Sequence, residues 1–467
     1  MLKVYNTFIQ RKEFIKCKFN GLLKIYVCGI TVYDYCHFGH ARIFIFFDTF
    51  IRYLRYIGFN ITYIRNITDI DDKIILKSKN LCVPFNKLTL YFINFMKKDF
   101  KNLNLLSPTY EPKVTYFINY IVYLIFSLNK IGFSYQNNFG DLYYFVNKYL
   151  KYGNISNRSI FDENNFSRQN IDYLCKNFLY DFVLWKFSNI FKPFWKCYFG
   201  EGRPGWHVEC STMSMYYLGD EFDIHGGGLD LIFPHHENEC AQSEGLTKKF
   251  FSSIWMHIGI VEINKLKMSK SLKNCVNLNS ILQKYNNEVI RYFILLNHYR
   301  TPLEFCYDKL NISEKIMTKF YLILNNKFIE SVISKNNIFE KRFFNSINND
   351  INLVENFSVL FDLVYEINCV KNFSLYKFCS LIKLLKILGN TIGFFYLDSK
   401  QFLSNFGRND KMNKLNLSEE EINELVFIRF NDKLNNNWKK ADFIRDYLFS
   451  CGILLEDKKD RTLWKNF

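Results

Sequence analysis

The chain has 467 residues, 49% of them hydrophobic, and Lys plus Arg outnumber Asp plus Glu by 61 to 45. This length and composition exclude an intrinsically disordered protein and suffice for two to four domains with a substantial core. The net charge of +16 suits a polyanionic partner, although a solvated basic surface would give the same balance.

The distribution of cysteines and of apolar residues argues against a secreted or membrane protein. Thirteen cysteines, an odd number, are scattered without a disulfide framework, and the first residues are more typical of a folded domain than of a secretory signal. We therefore expect reduced thiols and a cytoplasmic location. The most apolar run, residues 43–47, is far shorter than the roughly 20 residues that a membrane span needs.

The N-terminal region predicts a strand–loop–helix–strand opening, which is typical of a parallel α/β domain. Residues 22–28 form a short apolar run, residues 41–57 place apolar side chains at helical spacing, and residues 60–65 predict a second strand. A long helical region is predicted from about residue 72 to residue 130.

Shorter elements are predicted in the middle of the chain. Residues 140–146 predict a strand within an inserted segment, residues 151–180 predict loops, and the glycines of residues 200–205 predict another loop. A helix at residues 206–217 and a strand at residues 222–225 are predicted to follow.

The C-terminal part is predicted to be helical. The apolar periodicity of residues 311–397 indicates a helical bundle, residues 409–416 are a candidate linker, and residues 418–449 are expected to contain two more helices.

The first motif with a chemical meaning is His37-Phe38-Gly39-His40, which lies between a predicted strand and a predicted helix. A helix N-terminus offers free N–H groups and partial positive charge to a phosphate. The two imidazoles could donate hydrogen bonds to phosphate oxygens, and Gly39 would let a nucleotide approach the backbone. Such a motif by itself is more often an ordinary loop than a nucleotide site.

The second motif is the basic segment Lys267-Met268-Ser269-Lys270-Ser271. Two lysines beside a triphosphate could stabilise charge on the α-phosphate during adenylyl transfer, whereas an isolated segment of this kind is usually a solvated turn. Its position downstream of the first motif favours the catalytic interpretation. The ordered pair resembles the HIGH and KMSKS signatures of class I aminoacyl-tRNA synthetases.

Further segments narrow the resemblance to the cysteinyl-tRNA synthetases, and it extends over the whole chain. The segments that carry it are residues 26–34, 65–73, 181–186, 202–211, 222–228 and 233–239. The resemblance implies a Rossmann-type parallel-sheet catalytic domain that is split by an insertion, followed by an α-helical bundle and a small C-terminal domain. The implied division is residues 1–114 for the first half of the Rossmann domain, 115–200 for the connective insertion, 201–255 for the second half with the zinc ligands, 256–310 for the KMSKS-bearing stem-contact fold, 311–397 for the bundle and 398–467 for the anticodon-binding domain.

A zinc site is the most specific expectation. His235 and Glu239 are four residues apart, so on a helix they point the same way and could grip one ion, but His236 and Cys240 have the same spacing. The resemblance implies that His235 and Glu239 bind Zn²⁺ together with the more distant cysteines Cys28 and Cys210. Zinc accepts such a mixture of sulfur, nitrogen and oxygen ligands. Single buried cysteines and histidines without a metal are common, but four in matching motifs are not.

A zinc ion would solve a problem of substrate selection. Cysteine differs from serine by one atom, which shape recognition separates poorly. Zinc binds a thiolate far better than a neutral hydroxyl, so a zinc-held sulfur would make an editing domain unnecessary. The insertion predicted at residues 115–200 is short for such a domain.

The resemblance also implies residues that bind substrate. Trp206, Gly29 and Thr68 are expected in the amino-acid pocket, although Trp206 could be a core aromatic and Thr68 a helix cap. Nucleotide contacts are expected near the carboxyl end of a strand, where open α/β sheets bind ligands. The residues expected there are His225, Gly226, Gly227, Asp230, Gly39 and Lys270.

The implied reaction joins L-cysteine to the 3′-terminal adenosine of tRNA(Cys) through a cysteinyl-adenylate formed from ATP, with Mg²⁺ accompanying the nucleotide, in a monomeric enzyme. His37, His40, Lys267 and Lys270 would supply positive charge, because alignment and charge stabilisation dominate such a reaction. Two rivals are a mycothiol-pathway cysteine ligase, which would not need the basic residues 398–467, and an RNA-binding module without activity.

Overall fold

The computed structural model describes residues 1–18, 21–158, 176–188, 192–270, 272, 274–326, 337–371, 373–404, 418–457 and 462–466. Its contacts divide the chain into two units. Unit 1 comprises Met1–Asn279, Ile294–Phe305 and Arg342–Phe357, and unit 2 comprises Ser280–Phe293, Cys306–Lys341 and Ser358–Phe467. The candidate linker at residues 409–416 and most of the loop predicted at 151–180 lie outside the described residues.

The strands are short except for those of the central sheet. In chain order they are β1 Lys3–Asn6, β2 Arg11–Phe14, β3 Leu22–Thr31, β4 Asn60–Thr68, β5 Ser134–Gln136, β6 Leu142–Tyr144, β7 Phe182–Phe187, β8 Trp195–Cys197, β9 Gly200–Pro204, β10 Phe222–Gly228, β11 Ser252–Ile258, β12 Val261–Ile263, β13 Leu266–Lys267, β14 Leu303–Glu304, β15 Ile453–Asp457 and β16 Thr462–Asn466.

The helices become more frequent toward the C-terminus. They are α1 Phe38–Tyr56, α2 Asp72–Leu81, α3 Phe85–Asn102, α4 Ile118–Lys130, α5 Val208–Leu218, α6 Glu237–Thr247, α7 Leu278–Lys284, α8 Asn287–Leu295, α9 Tyr307–Leu324, α10 Ile338–Ile347, α11 Leu353–Val370, α12 Leu375–Thr391, α13 Ser399–Ser404, α14 Glu419–Leu434 and α15 Trp438–Ser450.

The centre of unit 1 is a parallel sheet with the strand order β11–β10–β3–β4. All seven residues of β10 are buried, as expected for a strand with both faces covered. Helix α1, which follows β3, buries most of its apolar side chains. The predicted parallel α/β opening is therefore confirmed, and the strand predicted at residues 22–28 continues to Thr31.

The long helical region predicted from residue 72 to 130 is broken, and this prediction was wrong in its continuity. Helices α2 and α3 are separated at Pro84, whose missing N–H suits the start of a helix and not its interior. After α3 the chain runs beside β4, where the Arg65 N–H donates to the Tyr110 carbonyl and the Ile67 N–H donates to the Pro112 carbonyl. This segment extends the sheet edge before α4 begins.

The loop predicted at residues 200–205 was also wrong, because Gly200–Pro204 is a strand. It pairs with β7 and β8 in an antiparallel sheet of order β5–β6–β7–β9–β8. A Cβ on Gly202 would lie 2.3 Å from Nε1 of Trp185, so this glycine allows the indole to cross the strand. The antiparallel sheet occupies the stretch where an insertion was predicted. The predicted boundary at residue 200 falls in β9, and the predicted boundary at residue 255 falls in β11. The division into six parts stays a prediction.

Unit 2 is mainly helical, and its C-terminal part packs two helices on a hairpin. Helices α14 and α15 and the antiparallel pair β15–β16 share a small apolar core that includes Ile422, Leu448 and Ile453. The two helices predicted for residues 418–449 are confirmed. In the described part of the chain, no helix is both long and apolar enough to cross a bilayer.

Candidate active site

The first of the predicted metal ligands, Cys28, lies at an irregularity of β3. The register between β3 and β4 shifts between Val27 and Ile30, and such shifts re-aim side chains. The Gly29 N–H donates to Oδ1 of Asn66 at 2.8 Å. A Cβ on Gly29 would lie 1.6 Å from the Asn66 carbonyl oxygen, so only glycine allows the two strands to approach here.

The other three predicted ligands come from the region of α5 and α6. Cys210 lies in the first turn of α5, Glu239 lies in the first turn of α6, and His235 lies in the turn that precedes α6. His235 Nε2 is 3.0 Å from Glu239 Oε1. The spacing of four residues therefore does bring this imidazole and this carboxylate together.

These four side chains, which we call the metal group, converge in the buried interior of unit 1. One ligand atom from each of Cys28, Cys210, His235 and Glu239 lies within 4.8 Å of the others. The Cys28 sulfur is 3.9 Å from that of Cys210 and 3.5 Å from Glu239 Oε1. Such a set of donors could hold a metal ion, and its composition fits zinc.

The alternative pair of His236 and Cys240 is not brought together in this way. The Cys240 sulfur lies 3.6 Å from the Tyr149 hydroxyl and belongs to neither of the candidate metal groups found among the described residues. The second of these groups combines Cys28 and Glu239 with His225 and His236. Geometry alone therefore leaves two overlapping ligand sets.

The titratable groups of the metal group shift one another's pKa values. Burial, and then the neighbouring Cys210 and Glu239, raise the pKa of Cys28 well above its ordinary value. Burial alone would raise the pKa of Glu239 and lower the pKa of His235. Instead, His225 and His235 lower the pKa of Glu239 to about 2, and Glu239 and Cys210 raise the pKa of His235 to about 10. A bound cation would replace the proton on His235 and favour both thiolates.

Two histidines that were not predicted as part of the metal group contact it. Nδ1 of His207 lies 3.0 Å from Nδ1 of His235, which leaves Nε2 of His235 facing the group. Nε2 of His225 lies 2.9 Å from Oε2 of Glu239. Such contacts orient ligands in metal sites. His207 follows Trp206 directly, so its place in that segment was the available signal.

A cleft of about 590 Å³ adjoins the metal group, because Cys28 belongs to both. Trp206 and Gly29 line this cleft, and the Trp206 ring lies 4.6 Å from that of His235. The residues of both signatures line it as well, namely His37, Gly39, His40, Lys267, Met268, Ser269 and Lys270. Candidate amino-acid and nucleotide contacts thus share one cavity.

The histidines of the first signature stack at the start of α1. The rings of His37 and His40 lie 3.6 Å apart, and the His37 N–H donates to Nδ1 of His40 at 3.3 Å. Burial, and then the nearby Lys270, lower the pKa of His37 to about 4, and burial lowers that of His40 well below its usual value. Both imidazoles are therefore neutral at pH 7 and can donate one hydrogen bond each, so the expectation that they supply positive charge was wrong.

The lysines of the second signature are held by carboxylates. Lys267 pairs with Asp230 at 3.1 Å, and Lys270 lies 3.5 Å from Asp34. The Lys270 ammonium also lies 4.2 Å from the centre of the Tyr33 ring and donates to the Tyr35 carbonyl at 3.4 Å. Ser271 lies outside the described residues.

Three of the residues that were expected to contact the nucleotide do not line this cleft. His225, Gly226 and Gly227 are buried in β10 and are not among the described residues that line the cleft, whereas Gly228 and Asp230 are. A Cβ on Gly226 would lie 2.2 Å from the Phe47 ring, so this glycine serves the packing of α1 on the sheet. The expected adenosine contacts of His225, Gly226 and Gly227 stay a prediction.

Thr68 is also buried away from the cleft lining. It donates to Oε2 of Glu209 at 3.2 Å and accepts from Nδ2 of Asn66, the residue that fixes Gly29. Thr68 therefore supports the pocket from behind, and its direct contact with an amino acid stays a prediction.

Comparison with known proteins identifies the class first. The family model described as tRNA synthetases class I (C) catalytic domain matches residues 14–315. Methionyl-tRNA synthetase of Mycobacterium tuberculosis in complex with methionyl-adenylate superposes with a TM-score of 0.55 at 11% identity, covering 86% of this chain and 95% of that one. LeuRS of Agrobacterium radiobacter K84, in a ternary complex with tRNA and LeuAMS, gives 0.59 at 9% identity over 84% and 86%. The fold is that of the class I synthetases.

Sequence relatives then identify the family. A cysteine–tRNA ligase of Vibrio parahaemolyticus is 40% identical over 466 residues, covering 100% of both chains. A cysteine–tRNA ligase of Pseudomonas putida strain GB-1 is 41% identical, covering 100% of this chain and 99% of that one. The chain belongs to the cysteine–tRNA ligase family, and it is an enzyme of the aminoacyl-tRNA ligase type. The family implies tRNA, an amino acid and ATP as its substrates.

Proposed function

We propose that this enzyme activates L-cysteine with ATP and Mg²⁺, and transfers it to the 3′-terminal adenosine of tRNA(Cys), with one Zn²⁺ held by the metal group. The observation that carries the proposal is that Cys28, Cys210, His235 and Glu239 converge beside the cleft that both signatures line. We expect the enzyme to act as a monomer in the cytoplasm.

The metal group suits a sulfur-containing substrate. The chemistry that a bound Zn²⁺ supplies here is selective coordination of a thiolate over a neutral hydroxyl. Trp206, whose ring packs near His235 and lines the cleft, would form a wall against the substrate side chain. Gly29, on the same cleft, would let the amino acid approach the β3 backbone.

The signatures suit adenylyl transfer. The carboxylate oxygen of cysteine attacks the α-phosphorus of ATP, the bond from that phosphorus to the bridging oxygen breaks, and pyrophosphate leaves. Lys267 and Lys270 would move from Asp230 and Asp34 to the phosphates and stabilise the developing charge. His37 and His40, both neutral, would donate hydrogen bonds without adding charge of their own.

In the second step the terminal hydroxyl of the tRNA attacks the carbonyl carbon of the adenylate, AMP leaves with the electron pair of the broken bond, and the hydroxyl proton passes to the departing phosphate. Alignment within the cleft would supply most of the acceleration. The basic balance of the chain, +16, favours contact with an RNA backbone.

The test is pyrophosphate exchange with each amino acid in turn, with metal analysis of the same sample, followed by charging of a tRNA(Cys) transcript. We expect exchange with cysteine and not with serine, about one zinc per chain, and cysteinyl-tRNA as the product. Exchange with cysteine but no charging would indicate instead a ligase that joins cysteine to a small amine. Absence of cysteine-dependent exchange in the zinc-loaded protein would contradict the proposal.

A further inference from the structure

Arg42 is a buried cation in unit 1 that the proposed reaction does not use. It lies in the first turns of α1, two residues after His40, and its side chain is only 2% exposed. Burial lowers the pKa of this guanidinium to about 10, opposed in part by Glu262. A buried guanidinium is costly unless its N–H groups find acceptors, so its partners indicate what it holds together.

The acceptors that the structure gives Arg42 are backbone carbonyl oxygens of two segments distant in sequence. Nη1 donates to the Ile260 carbonyl at 2.6 Å. Nη2 donates to the carbonyl of Thr301, and it lies 3.4 Å from that of His298 and 3.5 Å from that of Tyr299. One planar group therefore joins α1 to the segments around residue 260 and residue 300.

The segment around residue 260 is a wall of the cleft. Gly259, Ile260 and Val261 line the cavity that both signatures share. This wall is tightly fitted to the segment around residue 300, because the Gly259 N–H donates to the Tyr299 carbonyl at 2.7 Å. A Cβ on Gly259 would lie 2.4 Å from the Thr301 carbonyl oxygen.

The same wall leads into the second signature. The Met268 N–H donates to the Val261 carbonyl at 2.8 Å, directly beside the antiparallel pairing of β12 with β13. At the far side of the signature, the Phe38 N–H donates to the Val276 carbonyl at 3.0 Å. Hydrogen bonds thus connect both ends of the loop that carries Lys267 and Lys270 to α1, and Arg42 provides the connection on the N-terminal side of this loop.

We propose that Arg42 is a positioning residue that sets the wall formed by residues 259–261, and with it the second signature, relative to the histidines of the first. The inference rests on the proposed function, because it assigns Arg42 to the ATP part of that reaction. A guanidinium can bridge two segments with its rigid fork of donors, whereas a lysine ammonium acts from a single point. Charge alone is therefore not sufficient for this role.

The test compares Arg42→Lys with Arg52→Lys in pyrophosphate exchange. Arg52 is a matched control on the same helix, with Nε bonded to Asp48 at 2.8 Å and Nη2 to the Asn104 carbonyl at 2.7 Å. We expect Arg42→Lys to raise the KM for ATP by about tenfold, as the loss of one hydrogen bond to a charged group would. The KM for cysteine and the zinc content should stay within about twofold, as should all values for Arg52→Lys.

A second variant keeps the test decisive if Arg42→Lys does not fold. Gly259→Ala places a methyl group against the Thr301 carbonyl and would displace the same wall from the other side. It should show the same selective rise in the KM for ATP. Equal changes in the KM for ATP and for cysteine, or unchanged values in both folded variants, would overturn the role of Arg42. A wild-type enzyme without cysteine-dependent exchange would instead overturn the proposed function.

Discussion

Two regions of unit 1 face the same cleft but differ in how they are held. The metal group is buried, and its side chains contact one another and a surrounding set of histidines. The lysines of the second signature are partly exposed, at 46% for Lys267 and 22% for Lys270, and each pairs with a carboxylate that also faces solvent. The difference separates a preformed site from an adaptable one.

This difference corresponds to the two tasks in the proposed reaction. Distinguishing sulfur from oxygen needs donors that are fixed before the substrate arrives, because a site that rearranges would accept either atom. Stabilising a phosphate needs cations that can exchange one anionic partner for another. Exposed ion pairs are weak enough to permit this exchange.

The largest effect is expected from breaking the preformed region. Cys210→Ser should lose the bound zinc and lower kcat/KM for cysteine by more than about 1,000-fold, or roughly 4 kcal/mol, since metal interactions are worth several kcal/mol. Metal analysis and pyrophosphate exchange measure both. Cys240→Ser is the matched control, because Cys240 is buried nearby but belongs to neither candidate group.

The same experiment separates the two overlapping ligand sets. Cys210 and His235 belong only to the first set, whereas His225 and His236 belong only to the second. Retention of zinc by Cys210→Ser, together with its loss in His236→Asn, would assign the metal to the second set and contradict the proposed ligands.

The next effect in size concerns the adaptable region. Lys270→Ala should slow the adenylation step by about 2–4 kcal/mol, because it removes a cation placed where charge develops. Zinc content and the KM for cysteine should not change. Single-turnover formation of the adenylate measures this rate, with Lys249→Ala, from an exposed ion pair with Asp220, as the control. A normal rate in Lys270→Ala would remove this role.

The sequence predicted the metal group better than the residues that support the site, for physical reasons. The four residues of the metal group could be named in advance because they lie in segments that carry the family resemblance, whereas their spacing alone left His236 and Cys240 as an alternative. Asn66, which fixes Gly29, and His207, which orients His235, act through contacts between elements distant in the chain. The place of His207 beside Trp206 was a local signal, but only the fold shows which residue each of the two contacts.

The errors in the fold have the same origin, with one exception. Glycines at residues 200–205 predict a loop, and only the packing of Trp185 against Gly202 explains why they form a strand. The exception is Pro84, which was a visible signal that the helical region around it is interrupted.

A smaller effect concerns pH and the first signature. The pKa of His37 is lowered to about 4 in the folded chain from about 6.5 when exposed. The folded state therefore takes up fewer protons than the unfolded state between these values, and stability is present above pH 6.5 and is lost as pH falls toward 4. Between pH 6.5 and 5, His37 should account for up to about 2 kcal/mol of this loss.

Urea unfolding of wild type and His37→Gln at several pH values measures that contribution. The variant should have a shallower acid dependence even if its stability at pH 7 differs, because the stacking with His40 is also altered. Identical slopes in the two proteins would mean that His37 titrates normally in the folded state, and hence that it is not held neutral in the cleft.

The smallest effect tests whether the carboxylates restrain the lysines. Asp34 lies between Lys270 at 3.5 Å and Lys77 at 3.1 Å, and it is itself 34% exposed. Since exposed pairs contribute about 0.2–1 kcal/mol, Asp34→Asn should lower the KM for ATP by no more than about fivefold, because Lys270 no longer leaves a partner to reach the phosphates. Asp220→Asn, which breaks the comparable pair with Lys249, should leave this KM unchanged. A rise of the KM in Asp34→Asn would instead show that Asp34 holds Lys270 in its working position, and the second signature would then be as preformed as the metal group.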